Sequence, residues 1–269
     1  HLRAEDETRE PTPTSHALML EQPHSHQEGK TMKGTRTGTY FARAIGTAMI
    51  LALVFSFAAV PYVMAEEKKE DAQAIVDKAE VTVSDFLRNK DFEWFNANVH
   101  RAKGLLIYPQ VLKAGFFLGG SGGTGVLLVK NEKTGVWSQP AFYTLGAVSF
   151  GLQIGGESAE VILMVMSQKG IDSLYTSKFK LGGDTSFALG PVGAGAKGDV
   201  SADFVSFAVS KGLYAGLNLE GSYISVRDSL NKGYYGKDVT PLQILVEGKA
   251  VNPGSAKLRD TLQKAERKK

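Results

Sequence analysis

Residues 98–156 read NVHRAKGLLIYPQVLKAGFFLGGSGGTGVLLVKNEKTGVWSQPAFYTLGAVSFGLQIGG. Short runs of Leu, Val, Ile, Phe and Tyr alternate with glycines, the pattern of strands that bend or carry bulges. NEKTG, Asn131 to Gly135, separates two such runs and reads as a hairpin turn. Similar runs follow: FYTLGAVSFGLQIG, AEVILMVMS, TSFALG, DFVSFAVS and LYAGLNLEGSYISV. Each is bounded by Gly, Asn, Asp or Pro.

Helical patterns flank this β region. From Glu66 to Asn89, the apolar residues Ala72, Ile75, Val76, Ala79, Val83, Phe86 and Leu87 recur every three or four positions. Asp71, Asp77, Glu80 and Asp85 occupy the opposite face, with Lys78. An acidic face favours packing on the domain over insertion into anionic lipid. Short helices are expected at Phe92–Arg101 and Gly170–Ser177, and another from Pro241, with Thr240 as its cap. AKLRDTLQKAERKK should form a basic, frayed C-terminal helix. The sum is an α+β domain over 66–269: a glycine-rich, largely antiparallel bent sheet or partial barrel flanked by N- and C-terminal helices.

The N-terminal quarter reads differently. Lys33, Arg36 and Arg43 precede AIGTAMILALVFSFAAV, Ala44 to Val60, which carries no charge. Pro61 and then Val63-Met64-Ala65 follow, so residues 32–65 have the layout of a signal peptide cut after Ala65. The rest of the chain is then exported, to the periplasm or beyond. The alternative is an uncleaved inner-membrane anchor, for which the uncharged run, counted on to Ala65, is just long enough. Residues 1–31 are polar and aperiodic and read as a disordered upstream segment.

Composition removes several function classes. The chain has no cysteine, hence no disulfide, thiol nucleophile or lipidated cysteine. Its net charge of +3 does not call for nucleic acid. Gly120–Gly125 and Gly193–Gly198 both fit G-x-G-x-x-G, but strand-like runs follow each instead of the helix whose N–H groups would meet a pyrophosphate. Ser121 fits G-x-S-x-G, yet no histidine follows His100 to act as base. His100 sits beside Arg101 and Lys103 and reads as structural. Glu157, Glu160, Asp199 and Asp203 flank glycine turns and read as turn-forming or solvated residues. No catalytic site, metal site or cofactor is assigned. Adjacent aromatics in a strand point to opposite faces, so one of Phe116 and Phe117 is a candidate for an exposed apolar rim.

Four blocks carry a resemblance: AKGLLIYPQVLKAGFFLGGSGGTGVLLV, WSQPAFYTLGAVSFGLQIGGE, FALGPVGAGAKGD and VSKGLYAGLNLEGSYI. Together, from about Ala79 to Gly236, they resemble the SYLF domain, or Ysc84 type, in the form of an exported bacterial member. The resemblance implies a non-enzymatic module that binds membrane phospholipid. Eukaryotic members prefer phosphoinositides and some bind actin, properties not expected of an exported chain. Basic residues inside the blocks are then the headgroup candidates: Lys103, Lys113 and Lys211, with Arg101 and Arg227 as additions. The expected partner is an anionic phospholipid surface. The alternative is a periplasmic interaction domain without lipid dependence, and a hydrolase using Ser121 or Glu157 ranks last.

Overall fold

The computed structural model describes residues 68–267, apart from 116–117, 151–154, 184, 194, 196–197, 199, 211–212 and 215–218. The signal-peptide reading and the candidates Phe116, Phe117 and Lys211 therefore lie outside the described residues. Among the described residues, no helix is long and apolar enough to cross a membrane.

Helix α1 spans 68–88. Its three- and four-residue spacing does what the sequence pattern predicts: Ala72, Val76, Ala79, Val83 and Phe86 are all buried. Asn89 ends it, and its side chain accepts the Asp91 N–H to cap a 3-10 turn at Lys90–Phe92. Helix α2, Glu93–Asn98, and a second 3-10 turn, Val99–Arg101, complete this segment. Phe86 stacks on Phe92 at 4.5 Å, and Phe207 meets Phe92, Trp94 and Phe95 at 5.5–5.9 Å.

The long strands are β1 (Gly104–Gly115), β2 (Leu118–Val129), β3 (Ala141–Phe150) and β4 (Gly155–Val165). After them come α3 (Gln168–Leu174), β5 (Lys178–Lys180), β6 (Phe187–Leu189), β7 (Phe204–Ser210), β8 (Leu213–Tyr214) and β9 (Tyr223–Val226). Helices α4 (Asp228–Tyr235), α5 (Pro241–Leu245) and α6 (Ala256–Glu266) close the chain. The strand order is β5-β9-β3-β2-β1-β4-β7-β6, with β8 also paired to β7, in a curled half-barrel sheet. Every pairing is antiparallel except β6 with β7. Strands β1 to β4 lie in the order 4-1-2-3, a Greek key.

Helices cover both faces of the middle strands, which explains why GLLIY, VLLV and VILMV are continuous apolar runs. Leu105, Ile107, Val126, Leu128, Ile162 and Met164 face α1, α4 and α6. Leu106, Tyr108, Leu127, Leu163 and Val165 face α3 and α5 on the other side.

Two sequence expectations are corrected here. Glu80 does not face solvent with Asp71, Asp77 and Asp85: it is 6% exposed and lies under α6. It accepts from Ser84 and Thr261 at 2.9 and 3.0 Å and pairs with Lys257 at 2.8 Å. Nor is the C-terminal helix frayed. Leu258, Leu262 and Ala265 are buried, and Arg259 Nε donates to the Trp137 carbonyl at 3.0 Å. A helical wheel locates one buried face of α1, but not the second contact that α6 makes. The α4 helix, and the parallel direction of β6, are likewise absent from the sequence pattern.

A register shift in β1 between Tyr108 and Val111 brackets Pro109 and Gln110. The bulge presses β1 onto β2. A Cβ at Gly125 would lie 2.2 Å from the Ile107 carbonyl oxygen, and one at Gly123 would lie 2.4 Å from that of Gln110. Backbone atoms cannot yield as a side chain can, so glycine is obligatory at both places. Past the bulge the α1 side of the sheet is uncovered. Leu112 pairs across Gly122 to Gly146, and Ala114 across Gly120 to Val148. Leu112 and Val148 are 55% and 71% exposed there.

Chemical denaturation tests both the close approach and the buried carboxylate. Gly125→Ala should cost roughly 1–3 kcal/mol through forced backbone displacement, whereas Gly146→Ala, with nothing within 4 Å of its added Cβ, should be neutral or mildly stabilising. Equal effects would show that the close approach is not a constraint. Glu80→Ala should cost about 1–3 kcal/mol at neutral pH, because its donors lose their acceptor. Burial opposes Glu80 ionisation, but hydrogen bonds from Lys257, Ser84 and Thr261 outweigh it and hold the carboxyl below its ordinary value of 4.5. The Glu80 contribution should thus be complete above that value and disappear as pH falls through the lower folded one. A difference between wild type and variant that grows on acidification would contradict this.

Candidate basic cleft and the placement of the site residues

The turn at Asn131–Gly135 forms as the sequence predicts. Asn131 Oδ1 accepts the N–H groups of Lys133 and Thr134 at 3.0 and 3.1 Å, and Gly135 takes φ 66°. Lys130 bridges to Trp137 across the base of the turn. Lys103 enters β1 directly beside it, and its ammonium pairs with Glu132. Lys130 Nζ pairs with Glu266 at 3.0 Å, donates to the His100 carbonyl and sits 6.0 Å from the Trp137 ring centre. Lys133 is exposed at the turn.

Against this turn packs the start of α3 and the end of α5. Helix α3 is capped by Ser167, whose hydroxyl accepts the Gly170 N–H at 3.0 Å. Helix α5 opens with a capping box: Thr240 Oγ1 accepts from the Gln243 N–H, and Gln243 Oε1 accepts from the Thr240 N–H. Between them lies a cleft of about 360 Å³ lined by Lys103, Lys130, Lys133 and the carboxylate of Glu132 together with the apolar Ile171, Leu245 and Val246. Val246 is 57% exposed, and Val136, which follows the turn, is 47% exposed. Tyr175 also lines the cleft; burial, then the nearby Asp172 charge, raises its phenol above the ordinary value.

The other predicted residues go elsewhere. Lys113 stands near the far end of β1, opposite Ser121 on β2 and Glu157 on β4. Ten residues of strand at about 3.3 Å each put it roughly 30 Å from Lys103. Arg227 lies between these ends and donates from Nη1 to Thr124 Oγ1 at 3.2 Å. Arg101 is exposed, donates to Asn98 Oδ1 at 3.0 Å and lines a separate small polar cleft with Ser167, Ser186 and Asp203. The structure therefore gathers Lys103 with two lysines that sequence reading passed over, and leaves Lys113, Arg227 and Arg101 apart from them. The signal for Lys130 and Lys133 was the predicted hairpin turn, which Lys130 immediately precedes and whose middle Lys133 occupies.

The motifs set aside in the sequence have structural roles. Gly120–Gly125 lies inside β2, with no helix to receive a phosphate. In the Gly193 loop, the Gly193 N–H donates to the Asp91 carbonyl and the Gly195 N–H to the Glu93 carboxylate. Ser121 is a mid-strand residue. Glu157 and Glu160 point to opposite faces of β4, because their spacing is odd. Asp203 is a hub that accepts from Ser167, from the Ser186 N–H and from the Ser186 hydroxyl. Burial opposes its ionisation, but these bonds and Lys169 hold its carboxyl below the ordinary value. Among the described residues, no group of His, Cys, Asp and Glu could hold a metal ion. Trp94 and Phe95 are buried.

Comparison with known proteins adds an independent line. The model of the family described as Ysc84, Las17-binding protein actin regulator, matches residues 146–265. Protein YSC84 of Saccharomyces cerevisiae is 37% identical over 153 residues, 54% of this chain and 32% of its own length. An SH3 domain-containing protein of Schizosaccharomyces pombe is 35% identical over 162 residues, 58% and 37% of the two chains. SH3 domain-containing YSC84-like protein 1 of Bos taurus is 30% identical over 203 residues, 73% and 58%. The chain thus spans from about a third to somewhat over half of these relatives. The names of two of them mention an SH3 domain, and none of the three names a reaction.

Proposed function

The chain belongs to the Ysc84, or SYLF, family, and on that premise we propose that it is a non-enzymatic module that binds anionic phospholipid surfaces. One observation carries the reading: Lys103, Lys130 and Lys133 converge on one cleft with the apolar Ile171, Leu245 and half-exposed Val246. Anionic headgroups match the lysines, and the valines match the boundary with the acyl region. Each lysine near such a surface contributes about 1 kcal/mol, so binding is reversible and salt-sensitive. Lys130 is held by Glu266 and the Trp137 ring and positions the turn. Lys133, exposed on the turn, and Lys103, which would exchange its Glu132 partner for a headgroup, are the residues that meet the membrane. The export reading of residues 32–65 belongs to the same proposal and places the module at an envelope membrane.

Co-sedimentation with vesicles tests it. Anionic vesicles should retain the protein at low salt and release it at high salt, while vesicles of phosphatidylcholine alone should not retain it. Lys103→Gln combined with Lys133→Glu should weaken binding roughly thirtyfold or more, at about 1 kcal/mol per lost lysine. Lys113→Glu, at the far end of β1, should leave it unchanged. Loss of binding with Lys113→Glu alone would move the contact to the other end of the sheet. No retention by any vesicle would leave the protein-interaction reading in its place.

A further inference from the structure

A second and larger cleft, about 720 Å³, opens on the α1 side of the sheet. Its volume is that of a small-molecule site. It lies where β1 bulges at Pro109–Gln110 and α1 gives way to Asn89, all three of which line it. Val81, Phe86, Phe92, Ala159 and Val209 give it apolar walls. Phe86, Phe92 and Ala159 are buried, while Val81 at the mouth is 49% exposed.

Glu160 projects into this cleft from β4, on the face that carries Ile162 and Met164. Its Oε1 accepts from the buried Thr82 hydroxyl at 3.2 Å. Among the described residues, Oε2 has no hydrogen bond and neither oxygen has an ion pair. Burial, followed by the weaker effect of the Asp85 charge, makes the carboxylate costly, so its proton is held above the ordinary value despite the Thr82 bond. Lys78 and Asp85 are the charged groups that α1 turns to the cleft. Asp85 is already tied to Arg88 at 2.6 Å. Pro109, Gln110 and Val209 are what β1 and β7 bring to it, and none of them titrates. A half-buried carboxylate in an apolar wall calls for a cation that brings its own hydrocarbon. A charge-assisted N–H···O bond is about twice as strong as a neutral one.

We propose that the cleft between α1 and the β1 bulge binds an aliphatic ammonium compound, with its cationic head on Glu160 and its chain against Val81, Phe86 and Val209. The ammonium can belong to a soluble amine or to an amine-headed lipid. The chain length is limited by the cleft, which opens beside Leu112 through the Leu112–Ser158 pair.

The test titrates the full chain with octylammonium, octanol and octanoate at equal chain length, followed by calorimetry and by the methyl resonances of Val81 and Val209. Octylammonium should bind at least tenfold more tightly than octanol, octanoate should not bind, and both valines should shift. Glu160→Gln should erase the preference for ammonium with the unfolding midpoint unchanged or raised. Binding should weaken as pH falls and Glu160 takes its proton. Neutral phosphatidylcholine vesicles with and without phosphatidylethanolamine distinguish the sources: Glu160-dependent capture by the amine-headed vesicles assigns a lipid headgroup, and its absence assigns a soluble amine. Equal affinity for octylammonium and octanol, or a preference retained in Glu160→Gln, would overturn the proposal.

Discussion

At the bulge of β1 the carbonyl oxygens of Ile107 and Gln110 stand where any side chain at positions 125 and 123 would begin. This contact between two backbones divides the sheet into two halves. Before it, β1, β2 and β4 run as apolar strands between two helical layers, with Leu105 and Ile107 on one side and Leu106 and Tyr108 on the other. Beyond it, glycine replaces bulk on the α1 face and the helices cease to cover it. The cleft that holds Glu160 lies beside the same bulge. A glycine-poor β2 could not accompany β1 through the bulge, and the sheet would have to flatten or separate there.

The two ends of the sheet consequently differ in chemistry. At the start of β1, polar side chains are fixed by neighbours: Lys130 by Glu266 and Trp137, the turn by Asn131, and α5 by its Thr240–Gln243 box. The ammonium groups of Lys103 and Lys130 are held in place in a cleft with apolar side chains, and that positioning in advance lowers the entropic cost of binding. At the other end, Leu112 and Val148 stand exposed over glycines, and Lys113 faces away from them beside Glu157. Burial of Glu80 beneath α6 ties α1 to α6 on one side of the sheet.

Local rules made much of this legible. The apolar spacing of α1, the hairpin at Asn131 and the cap at Thr240 are short-range signals, and each appears where the residues indicate. The double cover of the middle strands was implicit in their unbroken apolar runs. Long-range facts were not legible. Helix α4 was hidden by Gly233 and Gly236, and Gly233 is explained by Lys68, whose Cβ and carbonyl group lie 3.0 and 3.2 Å from where its Cβ would be. Glu80 looked like a solvent residue because α6 lies far along the chain. Lys103 and Lys113 looked equivalent because both flank apolar runs, although a single extended strand already separates them by tens of ångströms. Their true neighbours depend on the turn of β2 and on α5, which a strand-by-strand reading cannot place.

In the proposed docking mode the lysine-bearing end of the sheet, and not the glycine-bearing end, meets the membrane. The absence of cysteine from the chain permits single labels without further changes. Val246→Cys and Val148→Cys would each carry an environment-sensitive fluorophore, and quenching by lipid-attached quenchers would be read on anionic vesicles. Quenching at position 246 with none at position 148 is the predicted result. Quenching at position 148 with none at position 246 would show that the exposed glycine face docks and would contradict the assignment.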